Sequence, residues 1–572
     1  MTDNNPLSEN AKQNISDWLS GEKFEFYKKE LELLIERQEW TVLEDAFFRV
    51  LPFGTGGRRG TCGIGSNRIN RVTIGETVQA LCDYLKSQVS DSELKIAIAY
   101  DSRLTSKDFA QYSARVIAGN AMHAYLFDGP RATPELSFTL RDGGFDAGIV
   151  ITASHNPSSD NGIKLYWRDG GQLVAPHDSN VLSIAAQISE IRESGADSSF
   201  IHALGVAEDE RYWSATHTCL FDTEREISIA YSPLHGTGIT SVYPSLQKAG
   251  FRVKLLDAQA EMNGSFPNVT NHIPNPEVPI ANDKLVAFAL QEGCDLATSN
   301  DPDADRYCVL VAHNGGMVQL TGNQAGVLMA DYVLSSLQKK EELTDKHFVC
   351  STIVTTDMFS VIAKSYGVQS YTNLLVGFKY IGEQMNIRHD TGEGIFVCGI
   401  EESYGGVIGD YCRDKDAAGP TIALAECAAR LKKQGQTLID KLDELFETHG
   451  VFLEDLHSVT FPGAEGFAQM QQFMSNLRMN TPQTLGGTRV LKVRDYSDGI
   501  EIKDKCENVL RFELSEDAHD RITIRPSGTE PKLKLYVQAH AAKGSGDLTQ
   551  MRAMAQSKID SYKVAVLSLL DH

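Results

Sequence analysis

The sequence lacks the features that mark membrane, secreted and disulfide-rich proteins. No run of continuous apolar residues approaches the length that a membrane-spanning helix needs. The polar N-terminal segment contains no apolar core of a secretory signal. Ten cysteines are spread over 572 residues without a CxxC pair, which favours reduced thiols over a disulfide framework. We therefore expect a cytoplasmic protein with no membrane partner.

Positive charge is also scarce. The chain carries 54 lysines and arginines against 76 aspartates and glutamates, a formal net charge of -22. Such a surface repels nucleic-acid backbones, so we expect no nucleic-acid partner, and an anionic substrate must be bound by local clusters of positive charge. At roughly 150 residues per domain, the length predicts about four domains rather than one binding module.

Short apolar runs, each followed by a polar loop, recur along the first 450 residues. The clearest occupy residues 95–100, 145–152, 294–299 and 394–399. Alternation with helix-like segments is typical of α/β layers, in which ligands bind beyond the carboxyl ends of the strands. The sequence therefore predicts three similar mixed-sheet α/β domains whose loops carry the chemistry.

After residue 450 the pattern changes. Residues 509–514, 521–526 and 532–540 predict antiparallel strands, and residues 551–570 predict a closing helix, so the last domain is expected to be α+β. Fresh strands near 226 and 316 place boundaries near 220 and 320. The predicted segments are 1–220, which includes an N-terminal helical extension with a helix-prone stretch at 24–40, then 221–320, 321–450 and 451–572.

The sequence DPDADR places Asp301, Asp303 and Asp305 at alternate positions after a buried strand, with Arg306 beside them. Three neighbouring carboxylates repel one another unless a hard cation neutralises them. A calcium EF-hand would need glycine and glutamate where the chain has Arg306 and Ala312. The pattern indicates Mg²⁺ shared with a substrate phosphate, and the alternative is a solvated acidic turn.

The sequence TASHNPSSDNGIKLY places Ser154 beside His155 at the end of a strand, with Lys164 in the next apolar run. It lacks the GxSxG pattern of a hydrolase elbow. Ser154 is a candidate nucleophile if cations and donors stabilise its phosphorylated form, and Lys164 is a candidate proton carrier. Ordinary turn chemistry is the alternative.

Three further kinds of loop suit anions or sugars. RPSGTEPKLKLY offers cations, hydroxyls and an accessible backbone for a phosphate, or forms a simple hairpin turn. GIEESYGG offers a carboxylate and a hydroxyl for vicinal sugar hydroxyls, although alone it is more often a surface loop. FGTGGRRG and VGFKYIG are glycine-rich loops with an embedded cation, a weak signal for phosphate. The residues concerned are Arg59, Gly377, Lys379, Glu401, Ser403, Arg525, Ser527, Gly528, Thr529 and Lys534.

Taken together, TASHNP, DPDADR, EESYG and RPSGTEPK occur in the order of the four active-site loops of the α-D-phosphohexomutase family, and the chain resembles its phosphoglucomutase branch, which includes phosphopentomutase-like members. The resemblance covers nearly the whole chain from Phe53 onward. It implies three similar α/β domains and a mobile C-terminal domain arranged around a central cleft. It also implies a phosphoserine enzyme that uses one Mg²⁺ per chain, with glucose 1,6-bisphosphate as intermediate and activator.

The resemblance also assigns roles residue by residue. Ser154 would be the phosphoserine, and the three aspartates would hold Mg²⁺ together with its phosphate oxygen. Arg59, Lys164 and Arg306 would line the transfer site, with Lys164 as a general acid/base candidate and His155 nearby. Glu401 and Ser403 would hold sugar hydroxyls. The non-reacting phosphate would be bound by Arg525, Ser527, Gly528, Thr529 and Lys534.

One departure from the family pattern is Val376, which stands where the glucose branch often has a threonine. EESYG favours glucose over mannose without excluding a pentose. The expected activity is interconversion of glucose 1-phosphate and glucose 6-phosphate, and the expected partners are small sugar phosphates, in a monomer or homodimer. The alternatives are a phosphomannomutase or phosphopentomutase, a glucose 1,6-bisphosphate synthase, a magnesium-dependent phosphatase, and a non-catalytic sugar-phosphate-binding regulator.

Overall fold

The computed structural model describes residues 6–52, 57–89, 93–461, 463–503, 505–527 and 532–571. The chain divides into two compact units. The first unit comprises Met1–Gln319, Phe378–Gly392 and Gly405–Glu426, and the second comprises Leu320–Gly377, Glu393–Tyr404 and Cys427–His572. The division into four segments at 220, 320 and 450 stays a prediction.

The α-helices of the described residues are α1 Glu9–Ser20, α2 Glu25–Glu36, α3 Trp40–Phe47, α4 Arg71–Gln88, α5 Ser106–Gly119, α6 Thr133–Gly143, α7 His177–Ala185, α8 Val206–Thr216, α9 Val242–Lys248, α10 Asp283–Gln291, α11 Gly322–Lys339, α12 Met358–Ser365, α13 Phe378–Thr391, α14 Ala418–Lys432, α15 Leu438–His449, α16 Gly463–Met479 and α17 Leu548–Ser568. The strands are β1 Arg58–Thr61, β2 Lys95–Tyr100, β3 His123–Phe127, β4 Ala147–Ile151, β5 Asp160–Trp167, β6 Ile201–Leu204, β7 Ser228–Ser232, β8 Arg252–Leu255, β9 Leu296–Asn300, β10 Tyr307–His313, β11 Gly316–Gln319, β12 His347–Thr352, β13 Gln369–Leu374, β14 Ile395–Glu401, β15 Gly405–Ile408, β16 Val451–Thr460, β17 Thr484–Leu485, β18 Thr488–Arg489, β19 Lys492–Asp495, β20 Leu510–Glu513, β21 Arg521–Pro526 and β22 Lys532–Ala541.

The first sheet has six strands in the order β1-β5-β4-β2-β3-β6. The strands β4, β2, β3 and β6 are parallel, whereas β5 runs antiparallel to β4 and β1. Every residue of β4 is buried, as expected for a strand covered on both faces. The serine loop lies in the turn between β4 and β5, so sheet geometry fixes its position.

The second sheet has the order β11-β10-β9-β7-β8 and is also mixed. The aspartate loop connects the buried strand β9 to its antiparallel neighbour β10. The apolar run near 316, from which the boundary near 320 was predicted, forms β11 at the edge of this sheet. Asn314 and Gly315 both have positive φ angles, the conformation that a tight hairpin between β10 and β11 requires.

The predicted N-terminal helical segment at 24–40 is divided in the structure. Helix α2 ends at Glu36 and α3 begins at Trp40, with Gln38 between them at a φ of 56°. The apolar faces of α1 to α3 pack together and against Ile64 and Val72 of the first α/β layer. This extension therefore covers part of the first unit.

In the second unit β12 lies between β13 and β14 and is parallel to both. The C-terminal sheet, β16-β22-β21-β20-β19, is wholly antiparallel, and α17 packs on it with Ile559, Tyr562 and Val566 in the shared core. The prediction of mixed α/β layers followed by an α+β region is confirmed. No described helix is long and apolar enough to cross a membrane, and all ten cysteines are free thiols.

Candidate active site

Ser154 occupies a strained position at the end of β4. Its φ is 52°, in the left-handed region that residues other than glycine rarely adopt, and its side chain is fully buried. The backbone N–H of Ser154 donates to Oγ1 of Thr152 at 2.7 Å, which holds the turn. Backbone strain of this kind concentrates at functional sites because surrounding contacts must maintain it.

The serine hydroxyl reaches the aspartate loop of the second sheet. Ser154 Oγ donates to Oδ2 of Asp301 at 2.6 Å, and it lies 3.2 Å from Nδ1 of His155. The two predicted motifs are 147 residues apart in sequence and in direct contact in space. The hypothesis of a serine beside metal-binding carboxylates required this contact.

Asp301, Asp303 and Asp305 are all fully buried, and one oxygen from each lies within 4.8 Å of the others. Oδ1 of Asp303 and Oδ1 of Asp305 accept no hydrogen bond from any residue that the structure describes. A buried carboxylate oxygen without a donor is costly unless a cation binds it. The donor set therefore fits a hard divalent cation, which prefers carboxylate oxygens.

Two lysines partly neutralise the triad. Nζ of Lys164 lies 2.7 Å from Asp303 Oδ2 and 2.9 Å from Asp305 Oδ2, and Nζ of Lys415 lies 2.9 Å from the same Asp305 oxygen. Lys164 lies on β5 opposite Val150 of β4, so the strand register carries it to the triad. Burial alone would lower the pKa of Lys164, but the charges of Asp303 and Asp305 raise it.

The aspartates differ in their electrostatic surroundings. Burial, reinforced by the charges of Asp303 and Asp305, raises the pKa of Asp301 well above its usual range. Burial acts the same way on Asp303, but the charge and hydrogen bond of Lys164 outweigh it, and the pKa of Asp303 is lowered. Strongly perturbed carboxylates with opposite shifts are typical of a functional site.

Both predicted arginines of the transfer site lie beside these loops. Nη1 of Arg59 on β1 donates to Oδ1 of Asn156 in the serine loop at 3.5 Å. The backbone N–H of Arg306 donates to Oδ1 of Asp301 at 3.1 Å, and its guanidinium pairs with Glu277. Their placement agrees with the predicted cluster of positive charge.

The sequence reasoning missed Arg103, which holds the serine loop. It is buried and paired with Asp101, whose carboxylate also accepts from Thr152 Oγ1 at 2.6 Å. Its guanidinium donates, at 2.6 to 2.9 Å, to the backbone carbonyls of Ser154, Asn156, Pro157 and Asp160. Asp101 and Arg103 follow the buried strand β2, the same position after a strand that drew attention to the other loops.

Two other contacts of the triad were also missed. Thr133, the first residue of α6, donates its hydroxyl to Asp303 Oδ2 at 2.7 Å and its backbone N–H to the Asp303 carbonyl at 2.9 Å. Lys415 belongs to a run of four charged residues, 413–416, between β15 and α14. The sequence signal that could have identified Lys415 is this run of consecutive charges between two apolar segments, because buried charges need partners.

The predicted sugar-binding residues lie in or beside α13 and β14. Nζ of Lys379 lies 3.2 Å from Oδ2 of Asp178, and Gly377 precedes α13 with a φ of 127°. Glu401 ends β14, and Ser403 follows in a turn where its hydroxyl donates to Glu402 at 3.3 Å.

The phosphate-loop residues lie in the C-terminal sheet. Arg525 on β21 faces Lys534 on β22 in the ladder, and its guanidinium bonds Glu507 at 2.8 Å. The backbone N–H of Ser527 donates to the carbonyl of Lys532 at 2.7 Å. Gly528 and Thr529 lie outside the described residues, as do Phe53 to Gly56 of the FGTGGRRG motif.

The chain is similar to known proteins along most of its length. Models of the four domains of phosphoglucomutase/phosphomannomutase match in order: α/β/α domain I at residues 51–192, α/β/α domain II at 210–316, α/β/α domain III at 321–449 and the C-terminal domain at 474–553. A phosphoglucomutase of Staphylococcus aureus (strain bovine RF122 / ET3-1) is 34% identical over 523 residues, 88% of this chain and 92% of its own. The chain belongs to the phosphoglucomutase/phosphomannomutase family. The family is one of enzymes, intramolecular phosphotransferases, and the predicted resemblance is confirmed.

A second phosphoglucomutase is similar in sequence, and two crystal structures are similar in fold. A phosphoglucomutase of Staphylococcus epidermidis is 32% identical over 506 residues, 85% of this chain and 90% of its own. The crystal structure of parafusin, a phosphoglucomutase from Paramecium in its open form, is similar in fold at a TM-score of 0.66 and 17% identity, covering 90% of this chain and 95% of that one. A phosphoglucomutase/phosphomannomutase family protein from Burkholderia thailandensis gives 0.63 at 16% identity, covering 89% and 97%.

Proposed function

We propose that this protein is a phosphoglucomutase that interconverts glucose 1-phosphate and glucose 6-phosphate through a phosphorylated Ser154. The observation that carries the proposal is the 2.6 Å contact between Ser154 Oγ and Asp301 within a buried carboxylate triad. Phosphoryl transfer demands mainly positioning and neutralisation of charge. The residues around Ser154 are arranged for both.

The reaction has two transfers. In the first, the bond between Ser154 Oγ and phosphorus breaks, a bond forms from phosphorus to the free sugar hydroxyl oxygen, and the proton of that hydroxyl passes to Ser154 Oγ, giving glucose 1,6-bisphosphate. In the second, the bond between the other phosphorus and its sugar oxygen breaks, a bond forms from that phosphorus to Ser154 Oγ, and the serine proton passes to the sugar oxygen, giving the isomeric glucose monophosphate. Because the bisphosphate rephosphorylates the enzyme, we infer that it acts as intermediate and activator.

The triad would hold one Mg²⁺ through Asp301, Asp303 and Asp305, with a phosphate oxygen on Ser154 as a further ligand, and the ion would neutralise charge on the transferring phosphoryl group. Lys164, Arg59 and Arg306 add fixed positive charge at the same place. His155 lies in hydrogen-bond reach of Ser154 Oγ, and Lys164 is the second candidate to carry a proton at this site.

We propose that the phosphate that does not react is bound by residues of the phosphate loop and of the loop before α13, through side chains or backbone N–H groups: Arg525, Ser527, Gly528, Thr529, Lys534, Gly377 and Lys379. Glu401 and Ser403 are proposed to select the sugar through its hydroxyls. We further infer a cytoplasmic enzyme that acts on small sugar phosphates as a monomer or homodimer.

The test is intact-mass analysis with peptide mapping after incubation with glucose 1,6-bisphosphate and Mg²⁺. We expect one added phosphate on Ser154, absent in Ser154→Ala and present in Ser158→Ala, a control in the same loop. Formation of glucose 6-phosphate from glucose 1-phosphate should be lost in the first variant and kept in the second. Phosphate on another residue would overturn the assignment, and release of inorganic phosphate without isomerisation would select a phosphatase.

The sugar preference needs a separate measurement. The family name covers mannose as well as glucose, and pentose phosphates stay an alternative. Competing kcat/KM values for the 1-phosphates of glucose, mannose and ribose decide between them, because specificity is a ratio of these constants. Net synthesis of glucose 1,6-bisphosphate from another phosphate donor would instead indicate a synthase.

A further inference from the structure

The second unit contains a cavity of about 280 Å³ that the proposed reaction does not use. It is bounded by α11, by the end of α12 at Tyr366, by the last turns of α14 and by α15. Its volume is just below the range typical of sites for small organic ligands. None of its lining residues belongs to the loops assigned to catalysis.

The two carboxylates that line the cavity, Asp331 and Glu444, share one lysine, Lys441. Asp331 is buried, accepts a hydrogen bond from the Tyr366 hydroxyl at 2.8 Å and lies 3.3 Å from Nζ of Lys441. The same lysine lies 3.0 Å from Glu444. Burial alone would lower the pKa of Lys441, but Asp331 and Glu444 raise it, so this lysine stays charged.

Two further lining residues, Arg430 and Lys339, carry positive charge. The guanidinium of Arg430 lies 5.4 Å from the centre of the Tyr332 ring, which orients it, and Lys339 reaches the cavity from the last turn of α11. Neither cation forms an ion pair with any carboxylate in the part of the chain that the structure describes. The lining as a whole has three cations and two carboxylates, so it favours an anion.

The uncharged polar groups of the lining restrict the class of ligand further. Gln434 and Gln436 line the cavity between α14 and α15, and Ser335 lies one turn before Lys339 on α11. Amide side chains both donate and accept, which suits hydroxyl groups, and an arginine fork suits a phosphate. A bare anion would leave these amides without a recognition role.

We propose that this cavity is a second ligand site that binds a small phosphate ester. Arg430 and Lys339 contact the phosphate, and Gln434 and Gln436 contact hydroxyls of the ester. The site is independent of the proposed mutase function, since it uses different residues and a different part of the fold.

Calorimetric titration of the full chain with sn-glycerol 3-phosphate tests the proposal. We expect saturable binding that weakens at least about tenfold when Lys339→Gln and Arg430→Gln are combined, because two charge-assisted contacts are lost. The matched control combines Lys340→Gln, the residue after α11, with Lys432→Gln, the last residue of α14, which removes the same charge next to the same two helices outside the cavity lining. The control should bind as the unaltered protein does.

Two comparisons make the test decisive. Binding at the catalytic loops is unaffected by the Lys339 and Arg430 changes, so equal affinity in all three proteins, or no binding at all, overturns the proposal. Inorganic phosphate should bind at least about tenfold more weakly than the ester, and equal affinity would show that no ester is recognised. Thermal unfolding of each variant establishes that the fold is retained.

Discussion

The proposed transfer site of the first unit and the proposed phosphate-binding residues of the second are built in different ways. At the transfer site, Ser154, Lys164 and Asp303 come from separate loops or strands and meet only because two sheets fold. In the second unit, Arg525 and Lys534 are neighbours across one hairpin. The first arrangement is a preorganised set of charges suited to chemistry, whereas the second is a local pair suited to holding a ligand. Changes in the first should lower kcat and changes in the second should raise KM.

The largest effect is expected for Asp303→Asn. The amide cannot supply the negative charge that binds a cation, and it removes a partner of Lys164, so kcat should fall by roughly a thousandfold or more with a smaller change in KM. Steady-state assays with glucose 1-phosphate measure both constants. Asp295→Asn, near the other end of β9, is the control, because Asp295 there accepts a backbone N–H of Ser228. A KM effect alone would contradict the assignment of this loop to chemistry.

Arg103→Gln should have the next largest effect. Four backbone carbonyls lose a hydrogen-bond donor and the buried Asp101 loses its ion-pair partner, so the free energy of unfolding should fall by about 2–4 kcal/mol. Urea unfolding measures this loss. Arg115→Gln breaks a more exposed pair with Glu193 and should cost less than about 1 kcal/mol. A smaller loss of stability for Arg103→Gln than for Arg115→Gln would show that the serine loop keeps its conformation without Arg103.

In the second unit, Arg525→Gln should raise KM by about tenfold to a hundredfold with little change in kcat. The matched change is Arg494→Gln in the same sheet, where the arginine pairs with Glu501 and Glu513. That variant should leave KM within about twofold. If Arg525→Gln instead lowered kcat as strongly as Asp303→Asn, the division between a chemical site and a holding site would fail.

This comparison also explains how far sequence reasoning reached. The aspartate loop could be predicted as a cation site because alternate carboxylates after a buried strand need a cation. Ser154 could be predicted as a candidate nucleophile because its loop follows the apolar run at 145–152. Arg103 and Lys415 were missed because their roles depend on which backbone carbonyls and carboxylates tertiary folding brings to them. The sheet to which β11 belongs was not predicted, because pairing with β10, rather than its own sequence, assigns it to a sheet.

The smallest effect concerns the second unit alone, where burial raises the pKa of Glu454 to about 7. This pKa is above the usual value of 4.5 for glutamate, so the ionised side chain is less favourable in the folded protein than in the unfolded chain. Ionisation of Glu454 therefore opposes folding. The penalty is absent below about pH 4.5, grows as the pH rises towards 7 and is constant above it. Glu454→Gln removes the ionisation, so it should be more stable than the unaltered protein by up to about 3 kcal/mol at pH 8 and not at pH 4.5, since one pKa unit corresponds to about 1.4 kcal/mol.

Urea unfolding at both pH values measures this difference. Arg521 and Asp357, the charged groups nearest Glu454, are present in both proteins, so their titration cancels in the comparison. Glu516→Gln, a change of the same kind at a residue exposed in the C-terminal sheet region, should show no pH-dependent gain. A gain for Glu454→Gln that is equal at both pH values would arise from lost repulsion or better packing rather than from the buried acid. Such a result would remove the electrostatic contrast between Glu454 of the second unit, whose pKa burial raises, and the aspartate triad of the first, whose charge Lys164 and Lys415 partly neutralise.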